Sequence, residues 1–341
     1  MNHGPSLVRI KEMLKRARPR TAALIVTVVT LLFTFHAAAR DIQKTSEKTD
    51  EKAVINVLDG TAQRATSTPV QFEETRRVSL FGTRCSGIAT GLDGRIYATG
   101  ESILLVFQED GTLGKRIALE GESTCITSDG KDLLYLGMVD HVEVYDSDGR
   151  QKDIWVSLGN NAIVTSIAVS KDTVYVADAG NRLVMGFSKT GQLQAILGKK
   201  DRKKGVPGFI IPSPYFDVAV GPDQTLWVAD TGRLQLENYA PDGALLSSFG
   251  TSSMSIEGFC GCCNPTHFAL FPEGSFVTSE KGIPRIKVYD PHGNFMGVVA
   301  GPEQFKPGSV GLDVAINARG EILVLDPGSG FIRIYTRVSN V

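Results

Sequence analysis

The stretch GFCGCCNPTHFALF, Gly258 to Phe271, places three of the chain's five cysteines within four residues. His267 follows four residues after the last of them. Cys260, Cys262, Cys263 and His267 offer three thiols and one imidazole, soft donors that suit zinc, copper(I) or an iron–sulfur centre. In an oxidising compartment the alternative is a disulfide staple, Cys85 pairing with Cys125 or with this loop. Buried, inert thiols are a third reading. The spacing is neither the paired C-x-x-C of a zinc finger nor the C-x-x-C-H of haem attachment. Adjacent Cys262 and Cys263 point apart in an extended chain, so holding one ion requires a bend, which Gly261 permits. An odd number of cysteines leaves at least one without an internal disulfide partner.

The elements that must position this loop are short strands in a repeat. Closing aromatics mark the period at Phe107, Tyr145, Phe187, Tyr239, Tyr289 and Tyr335, 38 to 52 residues apart. The strands before them align as RIYAT, LLYLG, TVYVAD, TLWVAD, SFVTSE and EILVLD. The strands that open each unit align as SGIA, TCIT, TSIAV, FDVAV, THFAL and LDVAI. Short, evenly spaced strands at this period predict four-stranded blades of a propeller, since one blade alone cannot bury both of its faces. The sixth unit stops after its third strand. RRVSLFG, Arg76 to Gly82, matches the fourth-strand endings AILG and SSFG and is expected to complete it, leaving no exposed edge.

VADAGNRLVMGFSKTGQLQAILG and VADTGRLQLENYAPDGALLSSFG, each near a Gly-Phe-x-x-Pro type of loop, resemble NHL repeats. The resemblance spans roughly Arg76 to Val338 and is clearest in units three to six. Unit two, LGMVDHVEVYD, lacks the Asp–Arg turn. The resemblance implies an all-β, six-bladed propeller over residues 76–341. It also implies an interaction platform, with some lyases and hydrolases among the relatives, so the fold does not fix the function.

In such propellers the chain comes into every blade at one face, here called the inlet face, along the strand nearest the axis. GFCGCCNP is an inlet loop, and Cys85 and Cys125 stand just before or at the start of first strands. All five cysteines are therefore expected on one face. The residues heading the first strands read Gly87, Cys125, Ser166, Asp217, His267 and Asp313 around the ring. The ends of second strands bring Asp178, Asp230, Glu280 and Asp326 to the same face. This polar, thiol-bearing mouth is the expected site. Asp178 with Arg182, and Asp230 with Arg233, are also expected to brace turns. The basic run KKDRKKG, Lys199 to Gly205, belongs to this face and either meets an acidic partner or is simply solvated. His292 falls on the opposite face as a turn residue.

The N-terminus is separate. A basic segment, residues 1–20, precedes the uncharged run TAALIVTVVTLLFTFHAAA, Thr21 to Ala39. At about 1.5 Å per residue this run just reaches across a hydrocarbon core of about 30 Å. It reads as a signal anchor with the basic end inside, or as a signal peptide cleaved near Ala39. Both place the body outside the cytoplasm, in the periplasm in the anchored reading. Residues 40–75 read as a polar linker. A net charge of −1 gives no reason to expect nucleic acid.

Three functions are consistent with these residues. One is a membrane-anchored binding or scaffolding module with a protein or small-molecule ligand at the inlet face. A second is a metal-dependent hydrolase or lyase of the propeller type. A third is a periplasmic electron-transfer or thiol-redox protein. The amidating lyases among the NHL-like relatives place several histidines around zinc, whereas only His141, His267 and His292 lie in this propeller. No G-x-S-x-G, Walker loop or H-E-x-x-H is present.

Overall fold

Short apolar runs broken by glycine-containing turns fold here as antiparallel strands, grouped four at a time into six sheets. The computed structural model describes residues 69–200 and 208–338. These belong to one unit, Pro69–Val341. The expected basic segment 1–20 and anchor 21–39 lie outside the described residues, as do 40–68 of the expected linker and 201–205 of the basic run. Among the described residues no helix is long and apolar enough to cross a membrane.

Each sheet is one blade. The first strands are Gly87–Thr90, Ser123–Ser128, Val164–Val169, Val218–Val220, His267–Leu270 and Asp313–Ile316. They line a common central channel. Second strands such as Ile96–Gly100, Leu226–Asp230, Phe276–Glu280 and Ile322–Asp326 are buried along their whole length. They are covered on both faces by neighbouring blades, so they read as near-continuous apolar runs rather than alternating ones. Outer strands such as Gln151–Ile154 and Leu245–Phe249 are largely exposed.

The core is divided as the architecture requires. Six hydrophobic clusters are present among the described residues, one at each junction between adjacent blades. Blades 4 and 5, for example, meet through Trp227, Leu236, Phe259, Phe268 and Phe276. Each such side chain contributes about 1.5–3 kcal/mol on burial, which an isolated blade would forgo.

The ring closes between its two ends. The strand Phe72–Ser79 pairs antiparallel with Phe331–Arg337, matching Arg77 to Arg333 and Ser79 to Phe331. It becomes the outer strand of the sixth blade, whose other three strands come from the C-terminal end. Val78 and Leu80 then join Leu323, Leu325, Ile332 and Ile334 in the cluster between blades 6 and 1. The strand begins at Phe72, four residues before the expected Arg76. FEETRR is polar and resembles a linker, but its residues alternate between half-buried and exposed. The Glu74 carboxylate accepts from Arg333, which is buried in the facing strand. The described residues thus form an all-β, six-bladed propeller.

Candidate functional site

Neighbouring first strands are tied to one another around the channel by side chains at their inlet ends. Ser86 donates its hydroxyl to Ser123 O at 2.8 Å, Thr124 to Val164 O at 2.7 Å, and Thr165 to Phe216 O at 2.7 Å. These span the first three junctions. Asp217 spans the next: its carboxylate accepts from Val218 N of its own blade at 2.9 Å and from Phe268 N of blade 5 at 2.7 Å. Asp313 closes the ring in the same way, accepting from Val314 N at 2.8 Å and from Ile88 N of blade 1 at 2.9 Å. Between them stands His267, with Nδ1 3.5 Å from Asp313 and 3.8 Å from Asp217. Ser166 accepts from Val218 N at 3.2 Å. Gly87 lets the first strand of blade 1 approach that of blade 2 closely, since a Cβ there would lie 2.9 Å from the Cα of Cys125.

Burial sets the charge behaviour of this ring. It pushes the Asp217 carboxyl up to about 6, against the attraction of His267. It raises Asp313 as well, again opposed by His267. Two buried carboxylates with an imidazole between them favour either one proton shared within the ring or a positively charged group brought to it.

Above this ring the inlet loops enclose a basin of about 650 Å³. Arg84, Glu101, Glu122, Tyr215 and Lys306 border it. His267 lines both the basin and the channel of about 260 Å³ beneath it, so it stands at their junction. Tyr215 meets His267 edge-on with ring centroids 6.1 Å apart, and the Lys281 ammonium lies 4.4 Å from the Tyr215 centroid. Neither Tyr215 nor Lys281 is singled out by the sequence alone. Their signal is position only, Tyr215 two residues before the ring carboxylate and Lys281 just after a second strand.

The five cysteines occupy the inlet half of their blades in three separate settings. Cys85 is buried in the core between blades 6 and 1, and Cys125 in the core between blades 2 and 3. Burial pushes both thiols up to about 12, which keeps them protonated. Cys260 is buried, with its sulfur 3.4 Å from the Arg285 guanidinium. Cys262 is exposed and Cys263 buried, yet their sulfurs lie 2.9 Å apart. The Cys263 thiol raises the pKa of Cys262 above the ordinary thiol value, against the pull of Lys281. Among the described residues no three His, Cys, Asp or Glu side chains are grouped to hold a metal ion. The expected soft-ligand set of Cys260, Cys262, Cys263 and His267, with Cys125 and Cys85, is therefore not assembled. Cys260 turns into its own blade, and His267 turns to the carboxylates.

The second-strand carboxylates serve the inlet turns rather than the basin. Asp178, fully buried, accepts from Ile163 N and from Asn181, not from Arg182. Asp230 accepts from Ile210 N and Arg233, and burial pushes it up to about 6. Glu280 pairs with Arg285 and Lys287, both at 2.7 Å. Asp326 accepts from Ser329 N. His141 lies between Asp140 and Glu143 at the turn of blade 2, away from the ring. His292 heads a turn closed by Asp290.

The chain matches no family model and no curated protein. The six-bladed architecture accordingly rests on the structure itself.

Proposed function

We propose that this chain is an NHL-like propeller that binds a protein or small-molecule ligand in the inlet basin, held outside the cytoplasm at a membrane by residues 21–39. The observation that carries the reading is the basin of about 650 Å³ whose floor reaches His267, the imidazole that Asp217 and Asp313 flank from the channel side. Ligand sites commonly enclose about 300–1,000 Å³ and combine apolar walls with a few convergent polar groups. Ile163, Tyr215 and Val310 supply apolar wall here, and Arg84, Glu101 and His267 supply polar groups. A ligand with an apolar body and a hydrogen-bonding or cationic end fits this pattern. The anchor reading is supported by the basic flank followed by the uncharged apolar run Thr21 to Ala39.

A displayed random-peptide library tests the basin. Peptides are selected on the full-length chain and then compared on Tyr215→Ala and His267→Ala chains. Selected peptides should lose at least about tenfold in affinity on the variants, the loss of one buried contact worth about 1.4 kcal/mol. Peptides that bind both variants as well as the parent would place the binding surface elsewhere.

A further inference from the structure

The cysteine loop carries a feature that ligand binding in the basin does not use. Cys262 and Cys263 are neighbours in sequence with sulfurs 2.9 Å apart. In an extended strand successive side chains point to opposite faces, so this approach requires a local bend. Gly261 and Cys263 supply it, with φ of 75° and 66° on either side of Cys262. Such a value is uncommon for a residue with a Cβ and persists where surrounding contacts fix it.

Those contacts are present on both flanks. Asn264, fully buried, donates to Cys260 O at 2.6 Å and to Lys281 O at 3.1 Å, and accepts from Lys281 N at 2.9 Å. Lys287, also fully buried, donates to Gly258 O at 2.8 Å and to Ile256 O at 3.1 Å. The third cysteine is engaged separately, since Arg285 donates to the Cys260 sulfur at 3.4 Å. Two thiols are thus held together and the third is held away. Exposure divides the pair as well: Cys262 is open to solvent and Cys263 is 1% exposed.

We propose that Cys262 and Cys263 form a two-electron thiol–disulfide exchange site for disulfide-bearing partners. The Cys262 thiolate attacks one sulfur of a partner disulfide, forming a mixed disulfide and releasing the other sulfur as a thiolate. The Cys263 thiolate then attacks the Cys262 sulfur. The bond between Cys262 and Cys263 forms, the mixed disulfide breaks, and the second partner thiolate leaves. Two cysteine thiols are oxidised to one disulfide, one partner disulfide is reduced to two thiols, and the protons of the cysteine thiols pass to the partner thiolates. Neighbouring residues keep their Cα atoms about 3.8 Å apart, short of the usual disulfide span of about 4.4–6.8 Å, so such a bond reopens readily. That property suits exchange better than a permanent staple.

Glutathione disulfide serves as the probe on the reduced full-length chain in detergent. The chain is then denatured in the presence of one alkylating reagent, which takes every unreacted thiol, buried ones included. After reduction, the newly freed thiols take a second reagent, and tandem mass spectrometry locates both labels. The expected result is two glutathione thiols released per chain, the second label on Cys262 and Cys263, and the first label on Cys260. In Cys263→Ser the reaction should stop halfway, with one glutathione released and one retained on Cys262. Cys260→Ser should behave as the parent. A bond joining Cys260 to either neighbour overturns the assignment, and so does glutathione retained on Cys262 of the parent, or no reaction. Label positions in the parent decide the matter even if Cys263→Ser fails to fold.

Discussion

Replacing Asp217 with asparagine should change the stability of the propeller in a way that depends on pH. Asp217 is 6% exposed, and burial pushes its carboxyl from 3.8 up to about 6. An acid whose pKa is raised on folding binds more protons in the native state than in the unfolded state. Its contribution is therefore complete below the ordinary value of 3.8 and lost as pH rises through about 6. At about 1.36 kcal/mol per pH unit, the gap between the two values is worth about 3 kcal/mol. The Asp217→Asn side chain does not titrate, so it escapes that loss. It keeps one carbonyl oxygen for two backbone donors, Phe268 N and Val218 N, the latter shared with Ser166, and losing one of these hydrogen bonds costs about 0.5–1.5 kcal/mol at every pH. The variant should be clearly less stable than the parent near about pH 4 and close to it, or above it, near about pH 7. Urea unfolding followed by the fluorescence of Trp155 and Trp227 measures both. A penalty of the same size at the two pH values would refute the reading of Asp217 as a buried, proton-binding link in the ring.

Leu80→Ala should cost about 2–5 kcal/mol and lower the melting temperature, because this fully buried side chain locks the closing strand into the cluster between blades 6 and 1. Gly87→Ala should cost about 1–3 kcal/mol, since its Cβ would meet backbone atoms of Cys125 and Ile126; unchanged urea midpoints would show that the first strands can part without penalty. Lys287→Met should cost about 3–5 kcal/mol by removing a buried partner of Glu280 and the donor to two loop carbonyls. It should also speed native-state alkylation of Cys260, and an unchanged rate would mean that the loop is held by other contacts. The full chain should sediment with membranes and lose its propeller to protease added outside spheroplasts; a protected, soluble chain would end the anchor reading.

Much of the architecture is legible along the chain because strand order around a propeller follows sequence order. The aromatics from Phe107 to Tyr335 count the blades, and the shortfall in the sixth unit points to the strand at Arg77 and Val78 that fills it. The heads of the first strands align well enough to name Cys125, Ser166, Asp217, His267 and Asp313 as channel-lining residues. The start of the closing strand is harder to read. Glu74 resembles linker until its partner Arg333, near the other end of the chain, is known.

The cysteine loop marks the division between the two levels. Its place in the loop that leads into a first strand is read from sequence alone, because a repeat fixes which end of each strand a residue occupies. What the thiols face is decided only by the tertiary structure. Whether Cys262 and Cys263 point apart or together depends on the left-handed turn at Cys263, and Asn264 and Lys287 fix that turn with hydrogen bonds to Lys281 and to the carbonyls before it. Cys260 is drawn away by Arg285, a residue of the third strand of its blade. His267 is drawn to carboxylates from two other blades, Asp217 and Asp313. Spacing along the chain records which donors are near in sequence. Backbone dihedrals and partners from distant strands determine which of them meet.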